Sequence, residues 1–69
     1  MRNNNRDKRP VDNRLEEVIV MLNFHDLKDA DKAIDDIYED YTRNRIHMNA
    51  YQVSLMFELI DRISTAIYG

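Results

Sequence analysis

The chain is predicted to be all-α: a small three-helix domain, built as a helical hairpin behind an N-terminal helix, with a flexible basic arm in front. Three observations predict it. One glycine and one proline among 69 residues leave little turn chemistry for β-hairpins. Apolar residues recur at steps of three and four in three separate segments, which is the period of a helix. The opening "MRNNNRDKRP" has no apolar residue after Met1, so it cannot bury enough surface to offset the entropy of ordering. The expected boundaries are an arm over residues 1–10 and one helical domain over 11–69, with helices near 13–23, 27–43 and 50–68.

The first helix follows Pro10. Asn13 and Glu16 have the spacing of a capping pair, and Leu15, Val18, Ile19 and Leu22 fall at i, i+3, i+4 and i+7. "EVIVMLNF" within it is β-branched and apolar on both faces. A strand here is the alternative, but it would need a second chain to pair with, as in ribbon–helix–helix dimers.

"DLKDADKAIDDIYEDY", residues 26–41, forms the second helix. Asp26 or Asp29 is placed to cap it, and Leu27, Ala30, Ile34, Ile37 and Tyr41 trace one narrow apolar seam. Arg43 and Arg45 follow, where cations suit the negative end of the helix dipole.

The third helix has the clearest start. Asn49 with Gln52 makes a capping box, and Met48 stands where it can staple onto Val53. Val53, Met56, Ile60, Ile63 and Ile67 form its seam, with Phe57 beside it. Leu55, Leu59 and Ala66 widen the apolar arc to roughly 200°, about twice what packing on one neighbour requires. Leu55, Leu59, Ile63 and Ala66 are therefore the expected oligomer interface, and a homodimer is the expected assembly. Thin cores of this size often depend on such association.

Composition removes several functions. Cysteine is absent, so disulfides and thiolate zinc sites are excluded, and a reducing cytoplasm is the expected location. The polar, basic start is not a signal peptide, and "VIVML" is too short to span a bilayer, so no membrane role is expected. Gly69 is the sole glycine, which rules out a phosphate-cradling loop and the turn of a calcium loop. His25 and His47 fall at helix boundaries, and no Glu-x-x-His pair is present to build a di-metal bundle. Ser54, Ser64, Thr42 and Thr65 have no evident base beside them. No catalytic residue, metal site or cofactor is expected, and the chain is not read as an enzyme.

Charge supplies the candidate site. Residues 1–14 carry a net +3, residues 15–42 a net −7, and the remainder a net +1. Within the acidic segment, Asp31/Asp35, Asp35/Glu39 and Asp36/Asp40 are like-charged i, i+4 pairs, several of them towards the unfavourable end of the helix dipole. Stability alone would not select that crowding. Asp35, Asp36, Tyr38, Glu39 and Asp40 are the expected binding face for another protein with a basic surface, in an inhibitor, adaptor or regulator. A solvated outer face, laced by Lys28 and Lys32, is the plain alternative. The rival function is a nucleic-acid-binding transcriptional regulator, in which Arg2, Arg6, Lys8 and Arg9 of the arm neutralise phosphates on a dimer.

"YQVSLMFELIDRI", with Tyr51 and Gln52 opening a run of heptad-spaced apolar residues, resembles the small helical-hairpin co-chaperones of type III secretion needle subunits. That resemblance spans about half the chain and implies a helical hairpin that escorts another protein. The chain departs from the pattern in having no glycine between its last two helices.

Overall fold

The computed structural model describes residues 8–69, and among these all regular structure is helical: α1 (Val11–Asn23), α2 (Leu27–Thr42) and α3 (Ala50–Tyr68). Of the ambiguous apolar run 17–24, residues 17–23 lie within α1 and Phe24 is its C-cap, so the strand alternative is set aside. The three helices all pack on one another. Leu15 and Val18 of α1, Ala30, Ile34 and Ile37 of α2, and Met56, Leu59 and Ile63 of α3 make the buried core. Arm residues 1–7 lie outside the described residues.

α1 starts three residues earlier than the Asn13–Glu16 spacing suggests. Pro10 takes the capping position, and its carbonyl accepts from the Asn13 and Arg14 N–H groups. Proline suits this boundary because its fixed φ fits the helix entry and the N–H it lacks would have had no partner. Asn13 falls inside the first turn and caps nothing.

Both inter-helix connections are built without glycine. After α1, Asp26 N–H donates to the Met21 carbonyl and His25 N–H to that of Leu22. After α2, Arg45 N–H donates to the Asp40 carbonyl and Asn44 N–H to that of Tyr41. These paired bonds are Schellman closures, which require a left-handed residue just past the helix. His25 (φ 58°) and Asn44 (φ 59°) supply it. Asparagine tolerates this region through its short polar side chain, whereas histidine holds it at some steric cost. The lack of glycine is thus no bar to tight turns, because two polar residues accept the left-handed geometry.

α3 begins on the capping box. Gln52 N–H donates to Asn49 Oδ1 at 2.8 Å, and Asn49 N–H donates to Gln52 Oε1 at 2.9 Å. The Gln52 amide also donates to Asp12 Oδ1 at 2.8 Å, which ties the start of α3 to the first turn of α1. Met48 packs against the core just before the cap.

The buried face of α3 is rotated from the seam drawn on the sequence. Met56, Leu59 and Ile63 are inside, while Phe57 and Ile67 are exposed. Leu59 and Ile63 therefore belong to the core of the single chain and are not free to form an oligomer interface. Leu55 is half-buried against the same core, and Ala66 is exposed. Two helices converge on α3, and its wide apolar arc is consumed largely within one chain.

Candidate functional site

The five residues expected to share one binding face are distributed over four environments. Asp40 is in the interior, only 7 % exposed, and Arg14 reaches it from α1 at 4 % exposure. Arg14 Nη1 donates to Asp40 Oδ2 at 3.1 Å, and Arg45 Nη1 approaches Asp40 Oδ1 at 3.4 Å. The Schellman turn explains the second contact: it folds the residue five positions on back over the last helical turn, setting Arg45 beside Asp40. Asp40 is thus a structural acid, and its place on a partner-binding face is withdrawn.

Glu39 is exposed and paired with Arg43 at 3.4 Å, one turn along. Asp36 lines an open groove of about 240 Å³ between α1 and α2, together with Arg9, Glu17, Asp29 and Lys32 over a floor of Met21, Ala33 and Ile37. Arg9 forks onto Glu17 with contacts of 2.9 and 3.0 Å at one end of this groove. Of the four cations named for nucleic-acid contact, Arg9 is engaged with its own domain, Lys8 is exposed, and Arg2 and Arg6 lie outside the described residues.

Asp35 and Tyr38 lie away from this groove, and Tyr38 reaches α3. The Tyr38 ring meets Phe57 of α3 edge-to-face, with centroids 6.1 Å apart and planes at 69°. This geometry places the positive ring edge of one partner against the negative face of the other. Neither ring is buried by the contact: Tyr38 remains 42 % exposed and Phe57 49 %. Asp31, Asp35 and Tyr38 follow at i, i+4 and i+7, so the two carboxylates continue the line of the aromatic pair along one stripe of α2. Among the described residues, neither Asp31 nor Asp35 makes an ion pair.

Partial burial, with Asp31 and then Asp36 nearby, raises the Asp35 carboxyl above its ordinary 3.8. The folded chain therefore holds that proton more tightly than the unfolded chain, and folding stability falls as pH rises from 3.8 through the raised value. Asp35→Asn is expected to stabilise the fold at pH 7 by a few tenths of a kcal/mol, the usual scale of a like-charge helical pair. The gain should vanish below about pH 3, where the carboxyl is neutral in both states. Thermal melts of both proteins at the two pH values check this, and an equal gain at both would assign it to something other than charge.

Phe57 and Asp31 were not among the expected site residues. The signal for Phe57 was its position one step outside the seam of α3, where a large apolar side chain stays half in water. Among the described residues no three His, Asp or Glu side chains gather as metal ligands, and no helix is long and apolar enough to cross a membrane. Comparison with protein-family models, curated proteins and solved structures finds no match to the chain.

Proposed function

We propose that this chain is a non-catalytic interaction module, an inhibitor, adaptor or regulator in the cytoplasm. It binds a partner protein with a basic surface through the acidic and aromatic stripe between α2 and α3. One observation carries the reading: the half-exposed Tyr38–Phe57 pair continues directly into two carboxylates that make no ion pair among the described residues. Exposed aromatic rings supply contact area at little cost in side-chain entropy, and interfaces are enriched in them. The carboxylates add steering and exclude acidic competitors. The other acids of α2 fall outside the stripe: Glu39 holds Arg43, Asp40 holds Arg14 and Arg45, and Asp29 and Asp36 line the groove on the α1 side.

The test is affinity capture from the native host with the wild-type chain and with Asp31→Lys/Asp35→Lys. Both positions are exposed, so helicity should be unchanged while the captured partner is lost. A partner retained at undiminished yield by the charge-reversed chain would remove this stripe from the function.

A further inference from the structure

The stripe combines two chemistries that one side chain satisfies at once. Its carboxylates come from exposed turns of α2, spaced at i, i+4, and its aromatic faces from Tyr38 and Phe57 immediately beyond. In an edge-to-face pair at least one ring keeps a face outside the contact, and the exposure of both rings shows that solvent reaches them. On α3, Asp61 lies one turn beyond Phe57 on the same side of that helix. The one cation of α3, Arg62, lies on the opposite side of the helix from Phe57 and does not neutralise it.

Resting on the interaction reading above, we infer that the occupant of this stripe is an arginine-bearing helical segment of the partner protein, and that the site selects arginine over lysine. Charge complementarity fixes the sign of the occupant: a stripe with unpaired carboxylates favours a cation and disfavours an anion. The aromatic pair fixes which cation. A guanidinium is planar and weakly hydrated, so it lies flat against a ring while its N–H fork engages a carboxylate with two parallel bonds. An ammonium is a compact, strongly hydrated point charge, which pairs with Asp31 or Asp35 but gains less from the rings. A helix presents arginines at i, i+4 with the same spacing that α2 gives its acids, so two guanidinium groups meet Asp31 and Asp35 in register. The raised proton affinity of Asp35 agrees with a carboxylate that lacks a counter-charge in the free chain.

The experiment titrates the full chain, at physiological ionic strength, with two alanine-based helical peptides of equal charge. One carries arginine at every charged position and the other lysine. The arginine peptide should bind about two- to fivefold more tightly, the factor expected of an exposed cation–π contact. Phe57→Leu, which keeps an apolar side chain, should bring that ratio close to one while changing the lysine affinity little. Tyr38→Leu provides the same test from the other ring. Asp31→Asn/Asp35→Asn should weaken both peptides. Equal affinities that fall with the asparagine variant would overturn arginine selection and leave the acidic interaction face standing. A preference for arginine that persists in both leucine variants would also overturn it. Binding by neither peptide would overturn the inference and the interaction reading together.

Discussion

Asp40→Ala is expected to unfold the domain at room temperature. The substitution leaves the Arg14 guanidinium buried without the carboxylate it contacts at 3.1 Å. Breaking a buried ion pair from one side costs about 3–5 kcal/mol, because a buried charge loses a carboxylate that compensates it and cannot recover its water. A single core of this size supplies only about 3–5 kcal/mol of net stability, so the loss is comparable to the whole. Two further variants isolate the cause. Arg45 is partly exposed, so Arg45→Ala should cost no more than about 1 kcal/mol. Arg14→Met combined with Asp40→Leu removes the buried charges together and should restore a folded chain, since apolar replacement of both partners is commonly neutral or stabilising. Far-UV circular dichroism and urea denaturation read all three. A folded Asp40→Ala chain with near-normal stability would show that the pair contributes nothing to the core.

The same pair marks where the sequence stops being legible. The three helices follow from local pattern: the seam Ala30, Ile34, Ile37 is buried as its spacing requires, and the Asn49–Gln52 box forms the bonds that its residue types allow. Which acid of α2 turns inward is a different kind of question. Asp40 lies three residues past Ile37, at the border of the seam, where a short carboxylate is solvated unless a neighbouring helix brings a cation to it. Arg14 is that cation, and it stands one turn before Val18 on the buried side of α1. Neither position is unusual alone. The pairing depends on how α1 and α2 are juxtaposed, with the partners twenty-six positions apart, and periodicity within one helix carries no such information.

The candidate site was partly legible for a related reason. Like-charge crowding on α2 is visible in the sequence, and Asp35 and Tyr38 do lie together. The crowding is relieved unevenly, however. Asp40 is buried against arginines, Glu39 is matched by Arg43, and Asp36 turns towards the groove beside α1. What remains unrelieved is completed by Phe57 from another helix. Local spacing identifies one wall of a surface; the second wall comes from tertiary packing.

Leu59→Ala separates folding from association, which the wide apolar arc of α3 had joined. Leu59 has no exposed surface in the single chain, and it sits with Met56 and Ile63 among the core residues of α1 and α2. Truncation there should cost about 2–5 kcal/mol, the loss of buried methyl groups plus the cavity they leave. For a domain this small, each kcal/mol shifts the melting midpoint by about 4–8 °C, so the transition should fall by roughly 10 °C or more, or disappear. The concentration dependence distinguishes the two roles. If Leu59 served an interface between chains, the variant would be a folded, dissociated monomer, and raising its concentration would rescue assembly by mass action. As a residue of the protomer core, it should lower the melting midpoint by the same amount at every concentration. Leu55→Ala, on a half-buried position, should cost less, and Ala66→Glu, on an exposed one, should leave the melt unchanged. Any homodimer that uses the outer side of α3 must therefore be held by Leu55 and Ala66 with the exposed residues around them. Sedimentation of Ala66→Glu, whose fold is expected to stay intact, measures that contribution without disturbing the core that Leu59 completes.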